Sequence, residues 1–265
     1  MKTYAIVNKK GGVGKTTTAK NLAYILAVIC KKRVLLIDAD PQGNASSIVP
    51  YPNEAGLSSL LYYGGSEWYP DLIDQTDIPG LDLMPCGKDL DELDLACMLG
   101  RRNALEYLDV LAKLLEVIAG DDEYDVVVID CPPSLYSLGC LNALRAADRL
   151  IVPTDSSVYS ATGMADLLRQ ISLIRQNFPH LTVSGALITR FRADDVSQDA
   201  VDYLRQESPI PIFQTVIRAS DAKVAEATWA GQVDQQWSPW CSASRDYRAW
   251  VAELMEKEGP TDGKI

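Results

Sequence analysis

Residues 8–18 read NKKGGVGKTTT, a glycine-rich stretch that determines how the rest of the chain is interpreted. It follows a short apolar run at 4–7, predicted to be a strand, and leads into a helical pattern predicted over 15–30. Glycines in such a loop let backbone N–H groups surround phosphate oxygens, and the helix N-terminus adds partial positive charge. Lys15 would reach the outer phosphates, while the Thr16 hydroxyl would bind Mg²⁺. The stretch therefore predicts a phosphate-binding loop between a strand and a helix.

The spacing of this loop departs from the common pattern GxxxxGK[ST], which requires a glycine where this chain has Lys9. Lys10 instead precedes the glycine pair, and the resulting KGGVGKT resembles the deviant Walker A loop of the ParA/MinD family of P-loop ATPases. The resemblance implies that ATP and Mg²⁺ bind here, and that Lys10 reaches across a nucleotide-bound homodimer to the phosphates of the other subunit. The loop residues expected to contact the nucleotide are Lys10, Gly11, Gly12, Val13, Gly14, Lys15, Thr16 and Thr17.

Short apolar runs alternate with helical patterns along the chain, which predicts an α/β fold with three layers. We expect a mostly parallel twisted sheet with helices on both faces, and the resemblance implies a P-loop NTPase of the SIMIBI type. Residues 1–258 are expected to form a single domain, followed by a polar tail at 259–265. Predicted strands lie at 4–7, 33–37, 81–84, 124–129, 149–152, 182–189 and 212–215. Predicted helices lie at 15–30, 57–61, 103–119, 137–146, 162–176, 196–206, 221–229 and 243–257.

Carboxylates follow two further predicted strands, in the segments DADPQGN (38–44) and DCPPS (130–134). Ligands of α/β sheets bind beyond the carboxyl ends of the strands, so these segments are expected near the phosphate loop. Asp130 would then hold Mg²⁺ directly or through its waters, and Asp38 would support either the magnesium or the switch loop. A turn or helix-capping role is the alternative for each carboxylate.

DADPQGN also resembles the second signature of ParA-type ATPases. That resemblance implies that Asp40, its second aspartate, helps to position the attacking water. Lys10, Lys15 and Asp40 are thus the catalytic candidates, because the two lysines would stabilise charge developing on the γ-phosphoryl group.

The resemblance continues through AADRLIVPTDSS (146–157) and TVIRASDAKVAEATWAG (215–231). It implies that the neighbourhoods of Thr189 and Ile217 line an adenine pocket. It also implies non-specific DNA binding by basic residues of the C-terminal half, although surface ion pairs are the other interpretation of such residues. The DNA-binding candidates are Arg190, Arg192, Arg218 and Lys223.

The net charge is −11, which argues against a surface coated with phosphate-binding cations but leaves room for a local patch. The stretch 71–130 is heavily acidic and suits either a basic partner segment or a solvated face. Six scattered cysteines and a single histidine, His180, give no support to a zinc or disulfide framework or to histidine-dependent hydrolysis.

The sequence therefore favours a partition ATPase that dimerises on Mg-ATP, binds DNA non-specifically and is stimulated by a ParB-like centromere-binding partner. We expect it in the cytoplasm, associated with the nucleoid when ATP is bound. A MinD-like membrane ATPase is one alternative, because residues 243–257 carry an apolar stripe. Docking of that helix on the core is favoured, so no stable membrane association is expected. A metabolic enzyme of the same fold, such as a dethiobiotin-synthetase-like ligase, is the other alternative.

Overall fold

The computed structural model describes residues 1–64, 66–155 and 161–259, and these residues contain a seven-stranded sheet. Its strands are β1 (Lys2–Ile6), β2 (Val34–Asp38), β3 (Asp74–Gln75), β4 (Leu81–Met84), β5 (Val126–Asp130), β6 (Arg149–Thr154) and β7 (Thr182–Ile188). Their order across the sheet is β3-β4-β2-β5-β1-β6-β7, in which β3 is antiparallel to β4 and the other neighbours are parallel. The predicted mostly parallel α/β sheet is confirmed.

Ten α-helices connect and cover the strands within the described residues. They are α1 (Lys15–Tyr24), α2 (Gly56–Tyr63), α3 (Leu90–Met98), α4 (Val110–Asp121), α5 (Leu138–Ala146), α6 (Ala161–Asn177), α7 (Asp195–Glu207), α8 (Asp221–Trp229), α9 (Asp234–Trp237) and α10 (Ser242–Glu258). One π-helical turn, Ile25–Ile29, extends α1. Short 3-10 turns occur at Ser46–Ile48, Ser66–Leu72 and Ala104–Tyr107.

Alternate residues of each central strand face two separate hydrophobic clusters, one on each side of the sheet. In β2, Leu35 and Ile37 join the cluster that includes α4, α5 and α7. Val34 and Leu36 join the cluster formed with α1 and α10. Strands that are buried on both faces consist of almost continuous apolar residues. For this reason the runs RVLLI (33–37) and YDVVVI (124–129) predict strands from the sequence. The three-layer arrangement is confirmed.

The C-terminal helix α10 packs its apolar stripe into the second cluster. Trp250 and Leu254 are fully buried, and the Trp250 ring meets Phe213 edge-to-face with 5.7 Å between centroids. Tyr247 is also buried, with its hydroxyl 3.1 Å from that of Thr18 on α1. The stripe thus anchors α10 beside the helix that follows the phosphate loop. No helix in the described ranges is long and apolar enough to cross a bilayer.

Two predicted elements differ from the structure. The helix expected at 103–119 begins as the 3-10 turn Ala104–Tyr107, because the Asn103 side chain accepts the Leu105 N–H, and α4 starts later. The strand expected at 212–215 is an isolated bridge between Ile212 and Ala186. The Phe213 N–H still donates to the Ala186 carbonyl at 3.0 Å. The Gln214 and Thr215 amides that follow donate to the Glu253 carboxylate at 2.7 and 2.8 Å, so a side chain takes the place of a neighbouring strand.

The acidic stretch contains a helix that the sequence did not reveal. α3 buries Leu90 and Leu93, while its neighbouring carboxylates face outward. Asp94 is the exception, because it accepts the Leu138 N–H at 2.6 Å and so caps the start of α5. The predicted tail beyond Gly259 lies outside the described residues.

The backbone of Gly139 in α5 lies so close to the Ala39 carbonyl oxygen that a side chain does not fit between them. An added Cβ would lie 2.3 Å from that oxygen. We expect Gly139→Ala to lower the free energy of unfolding by about 1–3 kcal/mol through overpacking. Gly120→Ala is the matched control, because a Cβ there meets nothing within 4 Å. It should raise helix stability by up to about 1 kcal/mol. Urea unfolding measures both, and similar midpoints for the two variants would contradict the close approach.

Candidate functional site

The phosphate loop leaves the interior strand β1, which pairs with β5 on one side and β6 on the other. Gly12 and Gly14 have φ of 75° and 81°, a region that side-chain-bearing residues rarely adopt. Gly14 is the N-cap of α1, and its carbonyl accepts the Thr18 N–H at 2.8 Å. The loop therefore ends in the helix N-terminus that the sequence predicted, with backbone geometry suited to an anion.

A cavity of about 440 Å³ opens over this loop. The predicted residues that line it are Gly11, Gly12, Gly14, Lys15, Thr16, Thr17 and Asp40. Sequence reasoning did not single out the other lining residues, which are Lys20, Asn21, Gln42, Asn44, Pro133, Thr228 and Asp234. Helical spacing could have found Lys20 and Asn21, because they lie one turn after Thr16 and Thr17. Thr228 and Asp234 are too distant in sequence to carry such a signal.

Lys15 and Asp40 are both buried at the wall of the cavity, each with 7% of its surface exposed. The Lys15 ammonium donates to the Lys10 carbonyl at 3.3 Å, a long bond that a phosphate oxygen can replace. Asp40 Oδ1 accepts the Gln42 N–H at 3.0 Å, which holds the carboxylate at the cavity edge. A cation and a carboxylate thus face one space, as phosphoryl transfer to water requires.

The Asp130 carboxylate is fully buried at the end of β5, and neither oxygen has a hydrogen-bond partner among the described residues. Burial first, and then the negative charge of Asp38, raises the pKa of Asp130 well above its usual range; Thr16 and Lys15 oppose that rise. Orphaned oxygens beside a threonine fit Mg²⁺, which prefers oxygen ligands.

The described ranges hold no cluster of three His, Cys, Asp or Glu side chains able to bind a metal by themselves. Nucleotide-bound Mg²⁺ commonly uses one or two protein oxygens and completes its shell with phosphates and waters. Asp130 and Thr16 therefore fit the ion as partial ligands.

Asp38, which was expected to support either the magnesium or the switch loop, has hydrogen-bond donors from the protein on both of its carboxylate oxygens. Its Oδ2 accepts both the backbone N–H and the hydroxyl of Ser46 at 2.7 Å, and its Oδ1 accepts the Asp40 N–H at 3.1 Å. Burial raises the pKa of Asp38, and these hydrogen bonds oppose the rise. Because both oxygens are already engaged, the geometry places Asp38 in the loop-supporting role, where it fixes the segment that carries Asp40.

Lys10 does not line the cavity of its own chain. Its ammonium lies 2.9 Å from both carboxylate oxygens of Asp155, just after β6, and its backbone N–H donates to Asn8 Oδ1. The Lys10 side chain is 46% exposed, so solvent screens this ion pair and its contribution to stability is about 0–1 kcal/mol. The lysine is therefore held loosely and away from its own phosphate site.

A family model described as an AAA domain, AAA_31, matches residues 1–183. The chain is 34% identical over 267 residues to the chromosome partitioning protein ParA of Caulobacter vibrioides, covering 100% of this chain and 97% of that protein. It is 36% identical over 255 residues to the chromosome-partitioning ATPase Soj of Thermus thermophilus, covering 96% and 95%. The chain belongs to the ParA/MinD family. This confirms the resemblance first noticed in KGGVGKT.

Solved structures agree with this family fold. One is a cobyrinic acid a,c-diamide synthase from Mycobacterium smegmatis with a bound ATP analogue and magnesium, at 28% identity and a TM-score of 0.78, covering 98% of this chain and 96% of that one. Another is the cell division ATPase MinD of Pyrococcus furiosus, at 21% identity and a TM-score of 0.75, covering 97% and 99%. The latter likeness concerns the fold alone.

The neighbourhoods of Thr189 and Ile217 were expected to line an adenine pocket in this ParA/MinD chain. Both residues are buried, and neither is among the residues that line the cavity over the phosphate loop. The Thr189 hydroxyl is within donating distance of two carbonyls, of Val13 at 2.9 Å and of Thr154 at 3.0 Å. Because its hydroxyl bonds inside the protein, Thr189 braces the phosphate loop. Thr228 is the residue from the C-terminal half that reaches the cavity alongside Asp234.

Three of the four DNA-binding candidates form ion pairs with carboxylates. Arg190 pairs with Asp221, Arg218 with Asp246 and Lys223 with Glu226; the closest nitrogen-to-oxygen distances are 3.1, 2.7 and 2.8 Å. Arg192 is exposed and has no ion pair with another residue of the described ranges. Arg192 is therefore available to bind a phosphate directly. Arg190, Arg218 and Lys223 would first have to release a carboxylate.

Replacing Thr189 by valine keeps its shape and removes the hydroxyl that bonds the Val13 and Thr154 carbonyls. We expect Thr189→Val to cost about 1–3 kcal/mol in unfolding free energy, because buried carbonyls lose a donor. Looser bracing of the loop should also weaken ATP binding. Thr182→Val, at the exposed start of β7, the strand that ends just before Thr189, is the control and should change neither property. Calorimetric ATP titration that shows equal affinity for Thr189→Val and the wild type would rule out the bracing role.

Proposed function

We propose that this protein is a partition ATPase that dimerises on Mg-ATP, binds DNA non-specifically and is stimulated to hydrolyse ATP by a ParB-like centromere-binding partner. Residues 1–258 would form its single domain, located in the cytoplasm and on the nucleoid when ATP is bound. The observation that carries the proposal is the separation of the two loop lysines. Lys15 lines the cavity of its own chain, whereas Lys10 does not.

The chain's own residues divide the work of hydrolysis among them. The loop amides and Lys15 bind the phosphates, and Thr16 and Asp130 hold Mg²⁺, which offsets phosphate charge when bound. Asp40 orients the attacking water from the wall of the same cavity. Asp38 and Ser46 keep Asp40 in place through hydrogen bonds of 2.7–3.1 Å. Positioning of this kind is the main contribution that a protein makes to phosphoryl transfer.

Dimerisation would give Lys10 its second partner. The ammonium exchanges Asp155 for the phosphate oxygens held by the other subunit, and the exchange costs little because the ion pair is half-exposed. A phosphate offers more negative charge than one carboxylate, so the exchange favours the nucleotide-bound dimer. A site completed by two chains links nucleotide state to assembly.

DNA binding would use the exposed Arg192 first. Arg190, Arg218 and Lys223 can add contacts by exchanging their carboxylate partners, since exposed ion pairs are weak. A dimer doubles the number of phosphate contacts, and effective concentration strengthens the second set. A small basic patch on each subunit is therefore sufficient for DNA binding by the dimer.

A metabolic function is the second candidate, because the similar Mycobacterium smegmatis structure is named as a cobyrinic acid a,c-diamide synthase. The partition proteins are more similar in sequence, at 34% and 36% identity against 28% for that structure. Such a synthase must bind a small-molecule acceptor and has no need of DNA. ATP-dependent DNA binding therefore distinguishes the two functions.

Light scattering and DNA titration with ATP, ADP or no nucleotide test the proposed function. We expect dimerisation and DNA binding in the presence of ATP, and neither of them with ADP or without nucleotide. Lys10→Ala should lose ATP-dependent dimerisation while it still binds ATP, because its own cavity is intact. Lys9→Ala, the neighbouring exposed lysine, is the control and should dimerise normally. A wild-type protein that binds ATP but neither dimerises nor binds DNA would favour the metabolic function.

Arg192→Ala should reduce the DNA affinity of the ATP form several-fold and make its salt dependence shallower by about one phosphate contact per subunit. Arg175→Ala removes another exposed arginine, from α6, and serves as the charge-matched control. It should leave the salt slope unchanged. Fluorescence anisotropy at several salt concentrations measures both variants, and an equal loss for the two would show that net charge, not Arg192, is responsible.

A further inference from the structure

Lys20 on α1 is a largely buried lysine whose ammonium group has no partner among the described residues. The residue is 5% exposed and lines the cavity over the phosphate loop. Its ammonium nitrogen is not one of the fully buried polar atoms that lack a hydrogen bond, so it keeps access to solvent. Because Lys20 lines the cavity, an anion bound there can reach this nitrogen.

The helix geometry directs Lys20 toward the phosphates. Thr16 lies one turn earlier on the same face of α1, and long helical side chains lean toward the helix N-terminus. A lysine at position 20 is therefore placed to extend back over the first turn of α1, where the loop and the helix N-terminus can receive an anion.

Nearby carboxylates attract Lys20 without pairing with it. Burial lowers the pKa of Lys20, and the negative charges of Asp234, Asp130 and Asp38 oppose that change. Asp234 exerts the strongest of these attractions, but its Oδ2 already accepts a hydrogen bond from Asn21 at 2.9 Å. The negative charge of these carboxylates stabilises a cation at this position. None of them accepts a hydrogen bond from the Lys20 ammonium.

We propose that Lys20 is a second phosphate-binding lysine of the same subunit: its ammonium donates to the phosphate chain of a bound nucleoside di- or triphosphate. The inference rests on the proposed nucleotide site and deepens it. Nothing in the GxxxxGK[ST] pattern assigns a phosphate contact to this position. An ammonium with three free donors matches phosphate oxygens, whereas a nucleobase or a ribose does not need a full positive charge.

Calorimetric titration of Lys20→Met, Lys20→Arg and wild type with ATP, ADP and adenosine at fixed Mg²⁺ tests the assignment. Lys20→Met should raise the Kd for ATP and ADP about ten- to hundredfold, the loss expected for a hydrogen bond between charged groups. Its adenosine affinity should not change, and Lys20→Arg should restore part of the loss. Lys113→Met, an exposed helical lysine on α4, is the control and should bind like the wild type.

Thermal unfolding without nucleotide separates this role from a structural one. Removing Lys20 also removes a cation that Asp234 and Asp130 attract, so the nucleotide-free melting temperature of Lys20→Met reports only that structural contribution. The phosphate role predicts that ATP raises the melting temperature of Lys20→Met less than that of the wild type. A lower melting temperature with unchanged ATP and ADP affinity would overturn the proposal and make Lys20 a structural counterion of Asp234. An equal loss for adenosine would also overturn it.

The outcome is independent of the partition function. A wild-type protein that binds ATP through Lys20 but fails to dimerise or bind DNA would retain the phosphate assignment and lose the proposed function. A wild-type protein that does not bind ATP would overturn both.

Discussion

Two carboxylates are buried side by side because β2 and β5 end in register, with Asp38 opposite Asp130. β1 ends at the same edge, with Ile6 opposite Asp130, so the phosphate loop begins beside them. Like charges in an apolar interior are unfavourable, and the chain balances them with hydroxyl and amide donors at Asp38 and with cations near Asp130. The unsatisfied oxygens of Asp130 leave the balance incomplete. Mg²⁺ bound together with an anionic nucleotide, as proposed above, would complete it at the carboxyl ends of the parallel strands.

A buried polar network joins the helix after the phosphate loop to the C-terminal elements. Asn21 donates to both the Thr17 carbonyl and Asp234, and the Gln235 side chain donates to Asn21 Oδ1 and to the Ser244 carbonyl on α10. Every one of these contacts is direct and most are buried, so movement of α1 cannot leave α9 and α10 undisturbed. Asp246 on α10 in turn pairs with Arg218. The nucleotide cavity and the candidate DNA contacts therefore share one packed unit.

The phosphate loop, the central strands and the positions of Asp40 and Asp130 were predictable because short-range patterns encode them. A glycine-rich turn between a strand and a helix and a carboxylate after an apolar run need no knowledge of distant contacts. The misplaced strand at 212–215 depended on Glu253, which is 38 residues away from the nearer amide it binds. The role of Thr189 likewise depended on Val13, at the other end of the chain. The features that could not be predicted from the sequence depend on tertiary contacts with residues far away in the chain, which local sequence patterns do not indicate.

The acidic net charge is less of an obstacle to DNA binding than its value suggests. Residues 71–130 contain sixteen acidic and four basic side chains, so the rest of the chain is close to neutral. Electrostatic interactions between exposed charges fade beyond about 10 Å at ordinary salt, so a carboxylate farther than that from a basic side chain has little effect on it. Whether the candidate DNA-binding side chains attract phosphate then depends on local pairing. Three of the four candidates already hold carboxylates, and the proposed dimer would carry two copies of Arg192, which has no ion pair among the described residues. In that dimer, DNA affinity would be a property of the assembly, so the net charge of one chain is a poor guide to it.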